Sequence, residues 1–111
     1  PIVVIMDENS HEVSERYYKA GSAVELTCLV TQVEEPADYV TWRHGDVTLT
    51  KGISLNTSLT PGSVSATLTM ERVEKHHSGN YTCDVGSLAS ARVTVHVLNG
   101  KFMCRAAKLY V

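Results

Sequence analysis

Four residues constrain this chain more than anything else in it: Cys28, Trp42, Tyr81 and Cys83. Each lies in a run where apolar and polar residues alternate, and each holds the apolar parity of its run. In AVELTCLVT, Val24, Leu26, Cys28 and Val30 share one side, while Glu25, Thr27 and Thr31 share the other. In DYVTWRHG, Val40 and Trp42 alternate with Tyr39, Thr41 and Arg43. In NYTCDVG, Tyr81, Cys83 and Val85 point one way. Such alternation describes strands with one dry face and one wet face.

The same period recurs in SVSATLTME, through Val64, Ala66, Leu68 and Met70, and in ARVTVHVLN, through Val93, Val95 and Val97. HGDVTLTKG and GISLNTSLT add two less regular strand candidates. PIVVIM and SERYYKAG read as a split first strand along an edge. Turn signals separate the runs: Ala20-Gly21-Ser22, Glu35-Pro36, His44-Gly45-Asp46, Lys51-Gly52, Pro61-Gly62 and Val85-Gly86-Ser87. No segment holds a helical period and no repeat is present. Many short strands punctuated in this way indicate a sandwich or a small barrel.

The three cysteines, Cys28, Cys83 and Cys104, fit no CxxC or Cys/His zinc spacing. The simplest arrangement pairs Cys28 with Cys83, 55 positions apart, and leaves Cys104 as a free thiol able to link two chains. A structural disulfide implies an oxidising compartment. Closing a loop that long stabilises the fold by about 4 kcal/mol in the chain-entropy picture, a large share of a small domain's stability.

With parity and spacing combined, the four residues form the pin of an immunoglobulin-like β-sandwich. Cys28–Cys83 joins two sheets, Trp42 packs on the bond, and the Tyr81 hydroxyl returns to the backbone at a corner. The expected fold is therefore all-β, I-set/C2-like, with two antiparallel Greek-key sheets. LTMERVEKHHSGNYTC resembles the strand E to strand F signature of this fold, with Leu68, Met70 and Val73 as its apolar positions. One residue departs from it. The position two before Gly79, acidic in the usual pattern, is His77. The buried ion pair that an aspartate makes there should be missing, leaving His77 partly exposed and neutral, and the corner resting on Tyr81 and the disulfide.

Length and charge narrow the function. The 111 residues suffice for one domain, with residues 1–100 expected as the sandwich, 1–10 as an interdomain linker and first strand, and 101–111 as a tail, disordered or foreign to the parent chain. A formal net charge of −2 does not suit a nucleic-acid partner. No apolar run can insert in a membrane, and PIVVIMDENS has neither the basic flank nor the cleavage site of a signal peptide. His76 and His77 invite a metal reading, but no cysteine or carboxylate stands at a ligand spacing, so solvated turn histidines are expected and no metal. No Gly-x-Ser-x-Gly elbow, acid–base pair or phosphate loop is present; no catalysis, cofactor or small-molecule ligand is expected.

Parity also defines an outer face on the sheet built by the runs DYVTWRHG, NYTCDVG and ARVTVHVLN: Tyr39, Thr41, Arg43, Asn80, Thr82, Asp84, Arg92, Thr94 and His96. One tyrosine and two arginines among threonines suit solvent better than adhesion. Two triplets are candidate N-glycosylation acceptors, Asn56-Thr57-Ser58 and Asn80-Tyr81-Thr82. A sugar on Asn80 would crowd this face; the plain alternative is a polar strand-edge asparagine.

A narrower resemblance rests on SERYYKAGSAVELTCLV (14–30) and GNYTCDVGSLASARVTVHVLNG (79–100), chiefly RYYKAGS, LTC, SGNYTC and ARVTVHVLNG. These resemble the second immunoglobulin domain of the defective-proboscis-extension-response (Dpr) family of neuronal cell-surface proteins, over about residues 1–100. PIVVIMDENS resembles the linker from a preceding domain. His77 and the tail KFMCRAAKLYV depart from the family pattern. The resemblance implies an extracellular domain of an adhesion receptor anchored in the plasma membrane through its parent chain and involved in synapse organisation. It implies immunoglobulin-superfamily partners held mainly by the parent's first domain, so no partner-binding residue carries over and this domain is a membrane-proximal spacer. The rival expectations are a recognition module using Tyr39, Arg43 and Arg92 or the opposite sheet, and a secreted enzyme or metal carrier using the histidines.

Overall fold

The computed structural model describes residues 2–32, 40–56 and 62–98. Within them the chain runs β1 (Ile2–Met6), β2 (Glu15–Lys19), β3 (Val24–Thr31), β4 (Val40–His44), β5 (Val47–Thr48), β6 (Ile53–Asn56), β7 (Val64–Met70), a 3-10 turn (Lys75–His77), β8 (Gly79–Val85) and β9 (Ala89–Leu98). Four strands form one sheet in the order β1-β3-β7-β6, and five form the other in the order β2-β9-β8-β4-β5. This is the two-sheet sandwich expected from the alternation. The turns at Gly21, Gly45, Gly52, Gly62 and Gly86 take the positive φ that favours glycine.

The inward parity of each long strand is buried. Val24, Leu26, Cys28 and Val30 of β3 are fully enclosed, and Leu68 and Ala66 of β7 stand beside Leu26 and Cys28 in the same layer. Trp42, Tyr81, Cys83, Val85, Val93, Val95 and Val97 supply the opposing layer. Cys28 and Cys83 are joined with their Cα atoms 6.4 Å apart, so one bond spans the core between the sheets. Trp42 stands beside Cys83's strand in register. Its indole Nε1–H donates across the core to the Ala66 carbonyl at 3.0 Å, giving the buried ring a polar tie to the other sheet. Val73 is completely buried under the chain that leads from β7 to β8, and the Val73 backbone exchanges hydrogen bonds with Gly21 and Ser22.

The split first strand exists, and its halves lie on different sheets. β1 pairs with β3, whereas β2 pairs with β9 in parallel, Glu15 opposite Thr94 and Lys19 opposite Leu98. This parallel pair departs from two purely antiparallel sheets. Alternation reports which side chains face inward but carries nothing about the direction of the neighbouring strand, so the departure was invisible to parity.

Between the halves, Asp7 organises the crossing. Its carboxylate accepts from the backbone N–H of Asn9 at 2.9 Å and of His11 at 3.0 Å, and pairs with Arg16. Arg16 also reaches Glu8 at 2.7 Å and lies over the Tyr18 ring. The His11 backbone donor, with help from Asn9 and Arg16, holds the Asp7 carboxyl below its ordinary 3.8 although burial acts the other way. Asp7 is the one polar residue among the described ones that the core encloses, at 6% exposure. A buried carboxylate with this many donors is satisfied rather than strained.

Candidate functional site: the outer face of the five-stranded sheet

The corner that leads into this face is built as the E–F signature requires, with one substitution of chemistry. The Tyr81 hydroxyl donates to the His77 carbonyl at 2.5 Å and lies 3.5 Å from the Met70 sulfur. The Tyr81 ring stacks on His44, centroids 4.3 Å apart, and burial pushes its hydroxyl up to about 12. His77 is half-buried. Its Nδ1 accepts the Glu74 backbone N–H at 2.8 Å, while the Glu74 side chain caps the His77 backbone. The imidazole thus takes the place that a glutamate or glutamine holds in a capping box. An accepting Nδ1 carries no proton, so the ring is neutral in this arrangement. The corner rests on Tyr81, as expected, but His77 adds a hydrogen bond of its own.

His76 is exposed, 3.5 Å from Glu74, with its ring 4.1 Å from that of His77. Among the described residues no three His, Cys, Asp or Glu side chains gather in a way that could hold a metal ion. Neither does a helix among them suffice to cross a membrane.

On the outer face, β4, β8 and β9 present Thr41, Arg43, Asn80, Thr82, Asp84, Arg92, Thr94 and His96 to solvent, as parity required. Tyr39 lies outside the described residues. The polar groups of this face bind one another. Arg43 Nε meets Asp84 Oδ2 at 2.5 Å, and its Nη1 donates to the Gly45 carbonyl at 3.2 Å. The hydrogen bond to Asp84, then its charge, raises the Arg43 pKa further. Thr94 Oγ1 donates to Asn80 Oδ1 at 2.9 Å. His96 contacts Glu15 at 3.0 Å and stacks on Tyr17 with centroids 4.4 Å apart.

Tyr17 and Glu15 were missed by sequence reasoning, since only the parallel docking of β2 brings them beside His96. The ERYYK alternation, with Tyr18 inward, could have put them on an outer face but not on this one. Asn80 is exposed, and Asn56, also exposed, ends β6 on the other sheet. Cys104, and Thr57 and Ser58 of the first acceptor triplet, lie outside the described residues.

The opposite sheet has a different outer surface. Ile2, Val4 and Met6 alternate with the inward Val3 and Ile5, and Val4 stands opposite Leu29. Ile2 is 51% exposed; Val4, Met6 and Leu29 are half-buried. Where β1 and β2 part to join separate sheets, an open cleft of about 320 Å³ remains, lined by Val3, Ile5, Glu12, Val13, Ala91 and Arg92 among others.

Two sheets, an inter-sheet disulfide, a tryptophan packed on it and a tyrosine corner define the immunoglobulin sandwich. The match to the immunoglobulin-domain family covers residues 4–87, and the chain belongs to that family. It is a non-enzymatic domain. Comparison with the curated proteins gave no match.

Among solved structures, one chain of the crystal structure of Dpr2 Ig1-Ig2 in complex with DIP-Theta Ig1-Ig3 is 26% identical, with a TM-score of 0.66. That match covers 89% of this chain and 51% of the other, so this chain spans about half the length of that one. The ZIG-8 IG1 homodimer is 19% identical over 78% of this chain and 80% of that chain, with a TM-score of 0.54. The titin I-band fragment I67-I69 is 16% identical over 88% of this chain and 32% of that chain, with a TM-score of 0.58. The last two matches show a shared fold alone.

Proposed function

We propose that this domain is an extracellular spacer in a neuronal cell-surface recognition protein, holding a neighbouring domain in position to bind another immunoglobulin-superfamily protein. The observation that carries this reading is the state of the five-stranded outer face. Arg43 is occupied by Asp84, Asn80 by Thr94, and His96 by Glu15 and Tyr17. A partner docking there would have to desolvate or break pairs that are already made, and interfaces gain little from polar groups already satisfied. Likeness to a chain from a Dpr–DIP complex supports a setting in cell-surface recognition. The disulfide supports an extracellular one. The role of spacer, the neuronal setting and the anchoring of a parent chain in the plasma membrane belong to this proposal.

Binding of the isolated domain to a panel of immunoglobulin-superfamily ectodomains, measured by surface plasmon resonance, tests it. Affinity weaker than micromolar throughout is expected; a micromolar or tighter partner overturns the spacer role.

A second reading, a recognition module in its own right, is favoured by the Ile2, Val4, Met6 and Leu29 row on the opposite sheet. Val4→Glu would then abolish clustering of cells that display the domain, while charge reversal at Arg43 and Arg92 would leave it unchanged. Clustering that survives Val4→Glu counts against that reading.

A further inference from the structure

We infer that Asn80 carries an N-linked glycan and that this sugar shields the five-stranded outer face. The inference adds to the spacer reading and needs only its extracellular part. Asn80-Tyr81-Thr82 is an acceptor triplet, and β8 holds it with Asn80 and Thr82 outward and Tyr81 buried at 1% exposure. Asn80 is exposed. Thr94 engages its Oδ1, which leaves the amide Nδ2, the atom that bonds to sugar, turned to the other side of the carboxamide. Thr94 stands opposite on β9, and the Gly45 N–H binds the Asn80 carbonyl where β4 turns into β5. A branched sugar therefore starts from an exposed strand position with the small Thr94 as its cross-strand partner, while Arg43, held by Asp84 and the Gly45 carbonyl, bounds the β4 side.

The reaction requires a donor by class, a lipid-pyrophosphate-linked oligosaccharide of the secretory route. The Asn80 Nδ2 forms a bond to the anomeric carbon of the sugar, the bond from that carbon to the lipid pyrophosphate oxygen breaks, and the amide gives up one proton. Nothing is oxidised or reduced. In the folded domain β8 is held on both edges, by β4 and β9, and the middle residue of the triplet is in the core. Transfer must then precede closure of the sheet. Once in place, the sugar stands over Thr94 and, further along β9 and β2, over His96 and Tyr17.

The test expresses the full chain behind a secretory leader in a eukaryotic cell, in an Asn56→Gln background so that a single triplet is read. Secreted protein is mapped by peptide mass spectrometry before and after enzymatic release of N-linked sugar in heavy-oxygen water. A glycan on the Asn80 peptide is expected, lost in Asn80→Gln and in Thr82→Ala and kept in Thr82→Ser. Hydroxyl-radical footprinting should oxidise Tyr17 and His96 at least twofold faster after release of the sugar. Secreted protein with Cys28 and Cys83 joined but Asn80 bare overturns the glycan and leaves the spacer reading standing. Equal footprinting rates overturn the shield.

Discussion

Replacing Tyr81 with phenylalanine removes one hydroxyl from the E–F corner and almost nothing else. The ring is 1% exposed and stacked on His44, and phenylalanine keeps that packing, so the apolar contribution to stability is unchanged to first order. What is lost is the bond to the His77 carbonyl, 2.5 Å long. Removing one partner from a buried polar group costs about 1–3 kcal/mol. His77 sits in a half-buried turn that water can partly reach, which places the expected loss near the lower end, about 1–2 kcal/mol. In a domain of this size each kcal/mol lowers Tm by about 4–8 °C.

The pH dependence separates this cause from general loosening. Folding raises the Tyr81 hydroxyl from 10.0 to about 12 through burial. Above pH 10 the unfolded chain releases this proton first, so unfolding is coupled to proton release and the wild type loses stability as the pH rises toward 12. The slope is at most about 1.4 kcal/mol per pH unit. Phenylalanine has no such proton. Tyr18, also raised to about 12 by burial, acts alike in both proteins and cancels. The gap between wild type and Tyr81→Phe in urea unfolding, followed by Trp42 fluorescence, should therefore be widest at neutral pH and shrink from pH 10 upward. A variant as stable as the wild type at neutral pH, or a gap that widens in alkali, would refute the reasoning.

Trp42→Phe should destabilise the fold by about 2–4 kcal/mol, from the lost indole hydrogen bond to the Ala66 carbonyl together with the space left by the indole. Circular dichroism must follow this unfolding, since Trp42 is the chain's single tryptophan. Gly52 and Gly21 both hold a positive φ, but a Cβ on Gly52 would lie 2.5 Å from the Thr69 carbonyl oxygen, whereas one on Gly21 meets open space. Gly21→Ala should cost about 1–2 kcal/mol from backbone strain alone, and Gly52→Ala should unfold at clearly lower urea than Gly21→Ala. The Asp7 carboxyl titrates below its ordinary value in the fold, so its contribution is present above pH 3.8 and fades as the pH falls through the lowered value. Asp7→Asn should flatten the acid limb of the stability profile, read from urea midpoints between about pH 5 and 2.

The core was legible because it obeys one rule. Val24 through Val30, Ala66 and Leu68, Tyr81 through Val85 and Val93 through Val97 alternate without interruption, and burial follows the parity residue by residue. The disulfide and tryptophan added long-range information that alternation lacks: they said which strands oppose each other. Where neither signal reached, the reading stopped. Nothing in ERYYK states that β2 lies parallel to β9 rather than beside β1, so the Tyr17–His96 stack and the Glu15 contact went unseen. Asp7 looks like any turn aspartate until Asn9, His11 and Arg16 converge on it. The sequence marks His77 only as a departure from the acidic pattern; the hydrogen bond from the Glu74 backbone to its ring needed the 3-10 turn to be visible. The outer face was named correctly as a set of described residues, yet its self-pairing depends on side-chain directions that parity does not contain.

All of this presumes that the two sheets are joined covalently in an oxidising compartment. Peptide mapping under non-reducing conditions, on chain recovered from the secretory fraction of its host cells, tests that presumption most directly. A single cross-linked pair of peptides containing Cys28 and Cys83 is expected. Recovery of both cysteines as free thiols in folded, exported protein would contradict it.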